Sequence, residues 1–166
     1  KGSMIAIIGM RVAEILDLLK SYNNNNGVCE IANDNAEGQV IVSGNKENVS
    51  SLQILLKEKK IKSIPLKVSA PFHCSLMKPA ANIMEEKINN IEFKNPKFKI
   101  VNNVTAQPED SSDIIKKLLI DQIFSTVKWR ESLLNMSKEG VKNFIEIGPG
   151  KVLTGMVKRT IKSANS

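Results

Sequence analysis

The apolar positions of this chain switch between two spacings. Residues 4–8 are a continuous apolar run, the mark of a buried strand. After Gly9, Val12, Ile15, Leu16 and Leu19 fall at i, i+3, i+4 and i+7, one stripe of a helix. Residues 23–27, all Asn and Gly, end it, because these types favour turns and compete with helical hydrogen bonding. Residues 28–32 and 39–43 read as strands, joined by Asn33-Asp34-Asn35-Ala36-Glu37-Gly38, a connection dense in turn formers. Asn45 is placed to cap a helix with the apolar face Val49, Leu52 and Leu56. Ile64, Leu66 and Val68 then alternate in a half-buried strand that Pro65 pushes to an edge or a bulge. The order strand, helix, strand, strand, helix, strand predicts a ferredoxin-like unit over residues 4–68.

Beyond residue 68 the spacing is mostly helical. Ser75 is placed to cap a helix with Pro79 in its first turn and Met77, Ala80, Ala81, Met84 and Ile88 on its buried face. Residues 99–104 are a strand candidate ending in Asn102-Asn103, and Ser111 or Ser112 opens the next helix. There Ile115, Leu118, Leu119 and Gln122 share a stripe, which sets an amide among apolar side chains. Either that amide is bonded to something fixed, since an unpartnered buried amide is costly, or it closes the helix end. Trp129, Leu133 and Met136 mark a helix stopped by Gly140, and residues 143–147 a strand. After the turn Gly148-Pro149-Gly150, Val152, Leu153, Met156, Val157 and Thr160 form the face of a last helix.

Composition narrows the classes. With 166 residues and 42% hydrophobic content, the chain is globular, as one domain or two small ones. No run approaches the ~18 apolar residues of a membrane span and no signal-like segment opens it, so a cytoplasmic address and no membrane partner are expected. Cys29 and Cys74 are too few for a disulfide framework and lack metal-site spacing, so Cys74 is expected to be structural and no metal is expected. The net charge of +7 favours an acidic partner. RNA-binding modules of ferredoxin-like topology stack bases on strand-borne aromatics, and between Met4 and Val68 the one aromatic is Tyr22, at a helix end, so charge alone is weak support for nucleic acid. Gly150-Lys151 is no phosphate loop, because that motif requires Gly at position 145 and Ser or Thr at 152, which are Ile and Val.

His73 is the one histidine of these residues and lies at a junction between strand-like and helix-like patterns. Loops at such junctions carry much of protein chemistry, and histidine titrates near neutrality, which makes His73 the acid–base candidate. An ordinary hydrogen-bonded loop histidine is the competing reading.

Several segments, in order, then resemble one family. Residues 68–80, Val-Ser-Ala-Pro-Phe-His-Cys-Ser-Leu-Met-Lys-Pro-Ala, look like the active-site histidine segment of malonyl-CoA:acyl carrier protein transacylases. Residues 2–9, 32–44, 101–104, Gln122 with 127–129, and 146–155 are similar to that family as well. The resemblance implies transfer of malonyl from malonyl-CoA to the phosphopantetheine thiol of acyl carrier protein, in fatty-acid biosynthesis, through an acyl-serine, with no tightly bound cofactor. His73 would be the base, and Gln122 the residue that steadies it through its backbone carbonyl. Phe72 resembles the pattern of malonyl-selective members. Asn33 and Asn35 would line the acyl pocket, although turn formation explains them equally well.

The resemblance also implies an architecture. Residues 1–68 would be the ferredoxin-like small subdomain (βαββαβ) and 69–166 the C-terminal part of an α/β-hydrolase-like acyltransferase subdomain. No Gly-x-Ser-x-Gly occurs here, nor a counterpart of the family's oxyanion-hole Gln or substrate Arg. These belong to an N-terminal half expected before Lys1, so this chain alone is expected not to turn over, and its C-terminal segment to expose apolar surface. Lys57, Lys59, Lys60 and Lys62 would help to dock the acidic carrier, or form a solvated helix end. The alternative function is a non-catalytic basic module binding an acidic protein or nucleic acid.

Overall fold

The structure, a computed structural model, describes residues 2–22 and 27–165. The predicted tract at 23–26 lies outside them, and Gly27 follows. Strand β1 (Gly2–Ile8) leads into helix α1 (Val12–Tyr22), then β2 (Cys29–Ala36), β3 (Gln39–Asn45), α2 (Lys46–Glu58) and β4 (Lys62–Pro65). They form an antiparallel sheet in the order β2-β3-β1-β4. The register of β1 on β3 runs from Gly2↔Asn45 to Ile8↔Gln39.

One sheet face carries the core. Ile5, Ile7, Ile31, Val40 and Val42 meet Ile15 and Leu19 of α1 and Val49, Leu52 and Leu56 of α2, all buried. Each such side chain contributes roughly 1.5–3 kcal/mol on burial. Leu16, expected on the α1 stripe, is 44% exposed.

Two local expectations change. Residues 33–36 are not a turn but the second half of β2, where Asn33, Asp34 and Ala36 pair with Ile41, Val40 and Gln39 across two register shifts. Bulges let turn-prone residues stay in a ladder, and the turn shrinks to Glu37-Gly38. Gly38, at φ +66°, accepts a bond from the Gly9 amide there. Asn45 occupies the cap position of α2, yet its side chain makes no cap bond and instead accepts from the Val28 amide at 2.7 Å.

From residue 66 onward the regular elements are mostly helices. A 3₁₀ turn (Ser75–Met77) precedes α3 (Lys78–Asn89), which has Pro79 in its first turn as expected. The short pair β5 (Ile100–Val101) and β6 (Pro108–Glu109) is followed by α4 (Ser112–Asp121), α5 (Trp129–Lys138) and α6 (Val152–Thr160). Leu133, Val157 and Ile161 are buried together against Trp129, Met136 and Phe144.

Corrections concentrate in this part. Ser75 makes no cap bond to the helix. Met84, Leu119, Val152 and Leu153, expected on buried faces, are exposed. Residues 143–147 form no strand; among the described residues they make one bridge, Asn143 to Asn165. A strand exists through its neighbours, and here none pairs with Phe144–Ile147 in a ladder. Phe98, Ile145 and Ile147 stand 84%, 86% and 95% exposed, the apolar surface that the sequence led us to expect. No helix among the described residues is long and apolar enough to cross a membrane.

Candidate active site

His73 sits between β4 and the 3₁₀ turn at φ +59°, a left-handed conformation in which a side chain with a Cβ is uncommon and histidine enriched. Its neighbours hold it there. The fully buried Cys74 thiol donates to the Pro71 carbonyl at 3.1 Å and accepts weakly from Ser43 Oγ at 3.6 Å. Ser75 gives its amide to one Glu30 oxygen at 2.8 Å and its hydroxyl to the other at 2.6 Å.

The ring is fixed from the other side. His73 Nδ1 lies 3.0 Å from the backbone oxygen of Gln122, which follows the last turn of α4. Carbonyls near a helix C-terminus lack intrahelical partners and are free to accept. A carbonyl cannot donate, so Nδ1 carries the proton and Nε2 of the neutral ring keeps its lone pair. The Gln122 side chain does something separate: Nε2 donates to Ser125 O at 3.3 Å, closing the helix end. Its Oε1 is buried without a partner among the described residues.

After α4 the chain docks along the outer edge of β2. Thr126 Oγ1 donates to Ile31 O at 2.6 Å, the Val127 amide to Ala32 O at 2.8 Å, and the Asp34 amide to Val127 O at 2.9 Å. Arg130, at the start of α5, closes the contact: Nε is 3.0 Å from both Asp34 carboxylate oxygens and Nη2 2.9 Å from Oδ2.

A cavity of about 490 Å³ opens beside His73, lined among others by Leu16, Glu30, Ile31, Phe124 and Thr126. Cys29 also lines it, but burial pushes its thiol up to about 12. Burial raises the Cys74 thiol too, so neither supplies a thiolate near neutral pH. Among the described residues no group of three or more His, Cys, Asp or Glu is placed to hold a metal ion.

Of the residues singled out by sequence, His73 and Gln122 are brought together. Phe72 is 38% exposed, and neither it nor Asn33 nor Asn35 lines the His73 cavity; Asn35 is buried and Asn33 half-buried in β2. Lys57, Lys60 and Lys62 line a separate cavity of about 590 Å³ between α2 and β4, without Lys59. Glu30, Thr126 and the Asp34–Arg130 pair escaped sequence reasoning. The last joins positions 96 apart, and no periodicity signals such a partner.

The His73–Gln122 bond and the cavity beside it, set in a mixed α/β fold, mark the candidate site. The chain belongs to the acyl transferase domain family, which it matches over residues 4–166. It is 39% identical over 160 residues to the malonyl CoA-acyl carrier protein transacylase of Bacillus subtilis, covering 96% of this chain and 50% of that protein. Among solved structures, an acyl carrier protein S-malonyltransferase from Vibrio cholerae superposes with a TM-score of 0.93 at 40% identity, covering 98% of this chain and 53% of that one. A malonyl-transacylase in complex with its type II PKS acyl-carrier protein gives 0.92 at 37% identity, over 98% and 53%. The chain thus spans about half the length of the relatives it matches. Nothing in these likenesses supports a non-catalytic basic module.

Proposed function

We propose that these residues are the histidine-bearing part of a malonyl-CoA:acyl carrier protein transacylase of fatty-acid biosynthesis. The observation that carries this reading is the 3.0 Å bond from His73 Nδ1 to the Gln122 carbonyl. It aims the Nε2 lone pair away from Gln122, as a base requires. His73 takes the proton of a serine that attacks the malonyl thioester, returns it to the departing coenzyme A thiol, and then deprotonates the phosphopantetheine thiol that accepts the acyl group. The serine, the oxyanion-hole Gln and the Arg for the malonyl carboxylate come from a companion N-terminal half. The apolar surface around Phe98, Ile145 and Ile147 is where that half packs. Malonyl-CoA is a substrate here and no bound cofactor is needed.

In this reading residues 1–68 are a ferredoxin-like subdomain, supported by the strand order β2-β3-β1-β4 with both helices on one face, and 69–166 the closing part of an α/β-hydrolase-like subdomain. Phe72, Asn33 and Asn35 shape the acyl pocket once the companion half is in place. The exposed Lys57, Lys59, Lys60 and Lys62 attract the acidic carrier. The protein works in the cytoplasm, without nucleic acid or membrane partners.

Intact-mass analysis of the protein at its natural length, before and after brief exposure to malonyl-CoA, tests the reading. A gain of one malonyl group that transfers onto acyl carrier protein is expected; no adduct in a species containing the companion half overturns it. Reversing the four lysine charges is expected to weaken apparent carrier affinity and flatten its salt dependence.

A further inference from the structure

We propose that Glu30 is a positioning residue for His73. A left-handed residue bearing a side chain persists only where its surroundings over-determine it, so the attachments of the His73 segment matter. The Cys74–Pro71 bond is internal to the turn and moves with it. The Ser43 to Cys74 contact, at 3.6 Å to sulfur, is weak. The Glu30 carboxylate instead ties the segment to β2 with both oxygens, at 2.8 and 2.6 Å on Ser75. Charge-assisted bonds of this kind are the strong ones.

Strand β2 also anchors the other partner. Ile31 and Ala32 carbonyls and the Asp34 amide hold Thr126 and Val127, just beyond Gln122. One strand therefore fixes both sides of the gap that the His73 Nδ1–H bond spans. Glu30 lines the His73 cavity, but its oxygens are engaged by Ser75, so it acts through the backbone of the turn.

The test follows the ring nitrogens of His73 by ¹⁵N NMR in the protein at its natural length, with signals assigned by their loss in His73→Asn. The wild type is expected to show a protonated, slowly exchanging Nδ1 and an unprotonated Nε2. Glu30→Ala and Ser75→Ala, with unchanged circular dichroism, should mix the tautomers and speed exchange at Nδ1. Glu30→Gln, which keeps an acceptor, should recover part of the wild-type pattern. Because this role rests on the transacylase reading for its consequence, rates are measured alongside: kcat is expected to fall about tenfold with KM for malonyl-CoA little changed. Wild-type ring signals in both alanine variants overturn the role of Glu30, whatever the rates. Should Glu30→Ala not fold, Ser75→Ala decides by the same readout. Relaxed tautomers in a protein without transacylase activity support Glu30 and overturn the functional reading instead.

Discussion

Replacing Arg130 by Met leaves the aliphatic stem and removes the guanidinium that grips Asp34. The geometry sets the size of the effect. Three nitrogen–oxygen contacts of 2.9–3.0 Å join the two groups, whose side chains are 29% and 11% exposed. Hydrogen bonds to charged groups contribute about 1.5–3 kcal/mol, and breaking a fully buried pair costs about 3–5 kcal/mol because the survivor stays uncompensated. Partial exposure lets water reach Asp34, so Arg130→Met is expected to lose about 2–3 kcal/mol, below the loss for a fully buried pair. For a protein of this size that lowers Tm by roughly 5–10 °C. The assay is thermal unfolding of Arg130→Met, Asp34→Asn and the double variant. Once Asp34 no longer carries charge the Arg130 change should cost much less, a coupling of about 1–2 kcal/mol. A single variant within 0.5 kcal/mol of wild type, or strictly additive losses, would refute the argument that this pair ties α5 to β2.

Three further outcomes are expected. Gln122→Ala keeps the carbonyl that His73 uses and loses a 3.3 Å side-chain bond, so kcat/KM of the natural-length enzyme should fall less than about tenfold; a far larger loss would mean that the amide itself meets substrate. Gly44→Ala drives a Cβ into the Val28 carbonyl oxygen in the β2–β3 pair, and unfolding in urea should show a loss of at least about 2 kcal/mol. The Glu146 carboxyl is held below its usual range by the Thr154 amide and hydroxyl, with the Leu153 amide adding to them. A depressed folded value means stability that is present above the unfolded value and lost as pH falls through the folded one. Glu146→Gln should therefore flatten the acid limb of a stability–pH curve, and an unchanged limb would count against a stabilising role for these bonds to Thr154 and Leu153.

Where the fold was legible, one physical signal acted alone. The α2 stripe of Val49, Leu52 and Leu56 is buried throughout because that helix packs on its own neighbouring sheet, so local period and tertiary environment agree. Pro65 pointed to an edge or a bulge, and β4 lies at the edge. Residues 33–36 misled because turn propensity is local, whereas β3 and the docked loop at Val127 hold them extended. Residues 143–147 misled in the opposite sense: their strand pattern is real, but a ladder needs partners that the described residues do not supply. At the site, the adjacency of His73 and Gln122 was legible through resemblance. Glu30 was not, since a strand carboxylate on a distant serine leaves no periodic trace.

The edges of the four-stranded sheet have a consequence for solubility. Unpaired strand rims template cross-β growth between molecules. Here part of the β2 rim is occupied by the same chain: Val127 exchanges main-chain bonds with Ala32 and Asp34, and the Thr126 hydroxyl donates to the Ile31 carbonyl. The β4 rim is four residues long and carries Lys62 and Pro65, a cation and a residue with no amide hydrogen to offer. Both borders therefore carry features that disfavour edge-to-edge pairing with a foreign strand.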